Sequence, residues 1–183
     1  MIGAEFGDVL AAAQSGHEAA VVRLYRDLHP VLVRFLSTQA PEVGEDLAQD
    51  VWLGAAKGLG AFSGDERAFR AWMFTIARRR LIAYWRQSRR RPQRSVDPVE
   101  LSELATRADD EADAGVLADA AVRSLVACLP PDQAEVVLLR VIGGLTAEEV
   151  GLVVGKRPGA VRVLQHRALR RLAKEFGSDR VTT

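Results

Sequence analysis

Apolar residues recur every three or four positions through most of this chain, and nowhere do they alternate as a half-buried strand requires. Over residues 9–14, 17–36, 45–59 and 67–87 that spacing predicts four helices, with breaks at Pro41 and at Gly58-Leu59-Gly60. Residues 117–129 and 131–141 predict two more, and Gly143-Gly144 supplies the turn after them. Between the two groups the periodicity dissolves. From Arg91 to about Gly115 the chain runs through Pro92, Ser95, Pro98 and a series of acids, the composition of an extended tether.

The pattern is most specific near the C-terminal end. Thr146-Ala147-Glu148-Glu149 has the form of a capping box, in which the threonine hydroxyl accepts from the Glu149 N–H and the Glu149 carboxylate accepts from the Thr146 N–H. A helix starts there, and the valine-rich residues 150–154 lie inside it despite their strand propensity. Val150, Val154, Val161 and Leu164 fall where two short helices lock together. Gly155 stands between them where a turn needs positive φ, and Pro158 suits the first turn of the second helix. Arg162, Val163, His166, Arg167 and Arg170 recur along an outward face, opposite Val161, Leu164, Ala168 and Leu172. This is the spacing of a helix-turn-helix; a merely solvated basic helix would need neither the capped helix nor the glycine turn before it. The predicted fold is all-α, with two small helical domains joined by a flexible acidic linker. The N-terminal helical domain takes residues 1–91, the linker 92–115, the helix-turn-helix domain 116–177 and a tail 178–183.

Charge sharpens this picture. Over 183 residues, 25 Lys+Arg and 24 Asp+Glu leave a formal net charge of only +1, yet the signs are segregated. Residues 67–94 hold ten arginines and no acid, residues 97–119 hold eight acids and one arginine, and residues 156–174 hold seven lysines and arginines and no acid. Two separate basic blocks imply two separate contacts with anions, nucleic acid above all. The one cysteine, Cys128, excludes an internal disulfide and reads as small core filler; with three scattered histidines it leaves no metal-ligand cluster. No segment reaches the length of a membrane span, and Glu5 and Asp8 stand where a signal peptide would be cationic, so a cytoplasmic protein without membrane insertion is expected. No grouping of Asp, Glu, Lys and His suggests catalysis, and no cofactor is implied.

Two segments carry a resemblance to a known family. Asp46-Leu47-Ala48-Gln49-Asp50-Val51-Trp52-Leu53, followed by Phe69-Arg70-Ala71-Trp72-Met73-Phe74-Thr75-Ile76-Ala77-Arg78, resembles the second conserved region of the extracytoplasmic-function sigma factors. Leu129-Pro130-Pro131-Asp132-Gln133, Gly144-Leu145-Thr146 and the run from Gly159-Ala160-Val161 through Arg167-Ala168 resemble the fourth region. Arg79 departs from the asparagine common in the family, and Ala83 from a frequent aspartate.

The resemblance implies a dissociable subunit that binds core RNA polymerase, directs it to promoter DNA and assists opening, with an anti-sigma factor as a further partner. Asp46, Gln49 and Asp50 share one helical face, with Leu47 and Val51 turned to another; the resemblance assigns that face, with Trp52, to the polymerase clamp. A solvated acidic first turn is the alternative, and it suits Glu45 and Asp46 better than Asp50. Phe69 and Trp72 read as core. Phe62 and Ser63 precede the arginine-rich helix in a glycine-bearing loop, where the family captures a base flipped from the −10 element. Ser63 is equally readable as a capping box with Glu66. Arg78, Arg79, Arg80 and Arg86 suit phosphate contacts there. In the helix-turn-helix, Arg162, Val163, His166 and Arg167 face the bases of a −35 element, while Thr146, Lys156, Arg157, Arg170 and Arg171 flank them. The rival reading is an ordinary helix-turn-helix regulator whose N-terminal domain senses a ligand or dimerises.

Overall fold

A computed structural model describes residues 1–90 and 113–177. Every regular element among them is helical: a 3-10 turn, Gly3–Glu5, then α1 (Phe6–Gln14), α2 (Glu18–Gln39), α3 (Gly44–Leu59), α4 (Glu66–Arg90), α5 (Asp113–Ala127), α6 (Pro131–Val141), α7 (Ala147–Val154) and α8 (Pro158–Gly177).

The apolar stripes explain the packing. In α2, Leu24, Leu28, Leu32, Phe35 and Leu36 are buried; they meet Leu47, Ala48, Val51 and Ala55 of α3 and Phe69, Met73, Phe74, Ala77 and Leu81 of α4 in one apolar core. Phe35 meets Phe74 edge-on at 5.1 Å. Each of the leucine, valine, methionine and phenylalanine side chains contributes roughly 1.5–3 kcal/mol by leaving water. Pro30 sits inside α2 on its exposed side, so the helix bond it cannot make is lost toward solvent and not in the core.

Several boundaries differ from expectation: α2 and α4 each run three residues further, to Gln39 and Arg90, and three other differences bear on the packing. α1 begins at Phe6, because that ring is buried against Phe69 at 5.6 Å. α5 begins at Asp113, so the last residues of the expected linker, 113–115, are helical. Residues 92–112 of that linker, and the tail 178–183, lie outside the described residues. α5 also ends at Ala127, which leaves Cys128 exposed with its thiol donating to the Ser124 carbonyl at 3.4 Å. It is not core filler.

The larger finding is that the two helical groups share a core. α4 packs along α7 and α2 against α5, and Val136, Leu138, Leu139, Ile142, Leu145, Val150 and Val153 continue the apolar cluster that contains Phe35 and Phe74. A smaller cluster of Leu129, Ala134 and Ala168 holds α8 onto α6.

Candidate polymerase and nucleic-acid interfaces

α3 is anchored by Leu47, Ala48, Val51 and Ala55, which leaves Asp46, Gln49 and Asp50 exposed on the opposite side. Leu53 completes that stripe: it is 65% exposed, one turn beyond Gln49. Trp52 stands beside the stripe and not on it. It is half-buried against Tyr25, with ring centroids 5.2 Å apart, and its indole N–H is buried without a hydrogen-bond partner. Trp52 and Gln49 line, with Val21, Tyr25, Leu53 and Leu59, an apolar groove of about 330 Å³. An acidic stripe with an exposed leucine at its edge and an apolar groove alongside can accept a basic partner that also has something to bury.

The loop before α4 is organised differently from a Ser63 capping box. Asp65 accepts the Ala68 N–H at 2.8 Å, while the Glu66 carboxylate, only 8% exposed, accepts the N–H groups of Ile2 at 2.6 Å and Gly3 at 2.9 Å. Ser63 is therefore released from capping and is exposed. Phe62 is half-buried, stacked on Trp72 at 5.1 Å and edge-on to Phe69 at 5.5 Å. Gln14 clamps this loop by donating to the carbonyls of Leu59 at 2.9 Å and Phe62 at 2.8 Å.

On α4 the four candidate arginines part company, since successive residues are turned by about 100°. Arg79 and Arg86, seven apart, share an exposed face, and Ala83 lies exposed between them. Arg80 is half-buried and lines a groove with Asp46, Asp50 and Tyr84. Arg78 points into the C-terminal half, where its Nε and Nη2 donate to the two carboxylate oxygens of Glu135 at 2.7 and 3.3 Å. In this structure it is not free for phosphate.

The helix-turn-helix forms as its local signals require. Glu149 N–H donates to Thr146 Oγ1 at 3.2 Å and Thr146 N–H to Glu149 Oε2 at 2.6 Å, closing the capping box. Gly155 ends α7 in the left-handed region, φ +69°, where a side chain would be strained. Val153, not Val154, is the fully buried residue of α7, alongside Val150; Val161 and Ala168 are buried on α8. Arg140 ties α6 into the motif through Gln165 and the Leu145 carbonyl. Lys156, Arg157, Arg162, Val163, His166, Arg167, Arg170 and Arg171 are all exposed. Arg162 pairs with Glu148, whose carboxyl is held below its ordinary range, first by a backbone hydrogen bond at its own position and then by the Arg162 charge.

Residues 20–91 match the sigma-70 region 2 family and residues 119–172 the sigma-70 region 4 family. The ECF RNA polymerase sigma factor ShbA of Streptomyces griseus is 37% identical over 178 residues, spanning 91% of this chain and 92% of ShbA. The chain belongs to the extracytoplasmic-function sigma factors. The ECF RNA polymerase sigma factor SigD of Mycobacterium tuberculosis is 32% identical, with 96% of this chain and 86% of SigD aligned. CnrH, solved in complex with the cytosolic domain of CnrY, has the same fold: TM-score 0.71, 24% identity, covering 96% of this chain and 99% of that one.

In this sigma factor region 2 accordingly falls on α2 to α4 and region 4 on α5 to α8. Sequence reasoning missed Leu53, although its place four residues after Gln49 on the acidic face was a readable signal. It also missed Glu135, whose partner lies 57 residues away and leaves no local trace. No described helix is long and apolar enough to cross a membrane, and no cluster of three or more potential metal ligands occurs among the described residues.

Proposed function

We propose that this RNA polymerase sigma factor docks core polymerase through Asp46, Gln49, Asp50 and Leu53, with Trp52 lining the adjoining groove. The loop carrying Phe62 and Ser63 and the α4 arginines Arg79, Arg80 and Arg86 then receive the opened −10 element. Arg78 joins them once it leaves Glu135. The outward face of α8 reads the −35 duplex through Arg162, Val163, His166 and Arg167, while Thr146, Lys156, Arg157, Arg170 and Arg171 hold its phosphates. The functional units are the N-terminal half to residue 90 and the C-terminal half from residue 113. Polymerase supplies the chemistry, so the chain has no catalytic residue or cofactor of its own and works in the cytoplasm, where promoter DNA is. An anti-sigma factor is the expected inhibitor; the sigma factor RpoE of Bartonella quintana, similar in fold, was solved with the anti-sigma factor NepR.

The observation that carries this reading is the exposed, capped helix-turn-helix with its cation-lined α8, on a chain whose other half presents an acidic docking helix. The test is reconstitution with core polymerase on a randomised promoter library. Enrichment of a bipartite motif is expected; initiation no better than with core polymerase alone would refute it.

A further inference from the structure

Region 2 is matched from residue 20, yet residues ahead of it hold the loop that joins α3 to α4. Gln14, the last residue of α1, is exposed, and its amide nitrogen lies 2.9 Å from the Leu59 carbonyl and 2.8 Å from the Phe62 carbonyl. Both partners are acceptors, so only the –NH2 group fits, with one hydrogen for each, and the amide has a single orientation. The first carbonyl belongs to the last residue of α3. The second belongs to the residue whose ring meets the −10 strand in the proposed function.

That ring is seated by packing. Phe6 of α1 lies 5.6 Å from Phe69, Phe69 meets Phe62 edge-on at 5.5 Å, and Trp72 stacks on Phe62 at 5.1 Å. Gly64 brings the loop against the same ring: a β-carbon there would stand 3.2 Å from Phe62 Cζ and 2.9 Å from the Ala68 β-carbon, too near without a shift. The main chain of Phe62, by contrast, is tied to α1 by the Gln14 amide. Gln14 is not what seats α1, because the buried residues of that helix are Phe6, Val9, Leu10 and Ala13. Loss of its donor therefore leaves the helix anchored and releases the loop. A loop ordered only on binding loses affinity to the entropy of ordering, whereas one held beforehand does not.

We propose that Gln14 is a positioning residue for −10 recognition: from outside the matched region 2 it holds the Phe62–Ser63 loop in the conformation that receives an unpaired base. The inference rests on the proposed reading of that loop and adds α1 to the elements that determine it. Gln14 acts through the two main-chain carbonyls, not by touching the base.

The test compares wild type with Gln14→Met, which keeps similar reach and helix propensity but has no donor and adds no charge. The probes are a fork DNA with a duplex −35 element and a single-stranded −10 element, taken from the library-selected promoter and bound by the sigma factor with core polymerase, and a −35 duplex alone. Gln14→Met should weaken fork binding roughly 3- to 10-fold, the factor that the net contribution of one hydrogen bond represents. Core polymerase affinity, −35 duplex affinity and the unfolding midpoint should stay at wild-type values. In the free protein, the Ala61 and Phe62 amides, which donate to the Gly58 and Leu59 carbonyls at 3.1 Å, should exchange with solvent faster in the variant. Unchanged fork affinity would overturn the proposal. So would a loss shared by the −35 duplex, or one accompanied by a lowered midpoint, since Gln14 would then be a stabiliser only. Ser63→Glu, at an exposed position, separates this failure from that of the loop reading. If Ser63→Glu binds the fork as wild type does, the loop does not meet the −10 strand and both readings fall; if Ser63→Glu is defective and Gln14→Met is not, only the role of Gln14 is refuted.

Discussion

The sharpest prediction separates base reading from phosphate holding on α8. Lys156, Arg157, Arg170 and Arg171 flank the recognition face and are exposed. If each neutralises one phosphate, they contribute a slope of about −3.6 in a plot of log affinity against log salt, at about 0.9 per contact. Raising salt fourfold, from about 50 to 200 mM, then weakens binding by roughly 150-fold through these four alone. Arg171→Ala should lower that slope by about 0.9, cut the fourfold-salt effect to roughly 40-fold, and do so equally for every sequence. Arg162 is placed for base edges in the N-terminal half of the helix, where a bidentate contact to guanine discriminates by roughly 1–3 kcal/mol, or about 5- to 160-fold. Arg162→Ala should therefore flatten preference at one or two promoter positions. Because Arg162 must leave Glu148 to reach a base, Glu148→Gln should strengthen DNA binding without changing which base is preferred. The assay is a competition titration over a randomised −35 segment at two salt concentrations. Equal, sequence-independent losses for Arg162→Ala and Arg171→Ala would refute the assignment of α8 as the reading helix.

Three further outcomes are expected. Asp50→Arg should weaken core polymerase binding with helicity unchanged, because a like-charge contact replaces an attractive one; wild-type affinity in a polymerase titration would remove that face from the interface. Glu66→Ala should destabilise the N-terminal half by about 2–4 kcal/mol, since a buried carboxylate that accepts from Ile2 and Gly3 is lost and hydrogen bonds to charged groups are each worth roughly 1.5–3 kcal/mol; denaturant unfolding with an unchanged midpoint would show those bonds to be idle. Thr146→Ala should lower stability by roughly 1 kcal/mol through loss of the cap on α7, measured the same way, and a change under a few tenths would mean the box contributes nothing.

What the sequence made legible was local. Thr146, Gly155 and Pro158 each constrain residues within a few positions, and the helix-turn-helix they mark is present with its outward face as expected. The same holds for the stripe of Asp46, Gln49 and Asp50, which needs only helical periodicity. The failures are long-range. A Ser63 capping box lost to Glu66 because the competing donors, Ile2 and Gly3, lie more than 60 residues away. The partner that occupies Arg78 in this structure was hidden, because nothing near it in sequence announces Glu135. The shared core between the halves was hidden for the same reason: residues such as Leu139 and Val150 fit the inside of a small helical domain just as well as a seam between two.

The placement of the α8 reading face bears on how such a chain can diversify. Val163, His166 and Arg167 are exposed, whereas Val161 and Ala168, interleaved with them, are fully buried. Substitutions at exposed positions typically shift stability by no more than about 0.5 kcal/mol, while those at packed ones cost several times as much. If that face reads the −35 element as proposed, promoter preference can drift, residue by residue, across a surface that the fold does not constrain. A lineage of duplicated copies can acquire separate regulons while Val161 and Ala168 keep the helix seated, so that new target sequences arise with little loss of folded protein along the way.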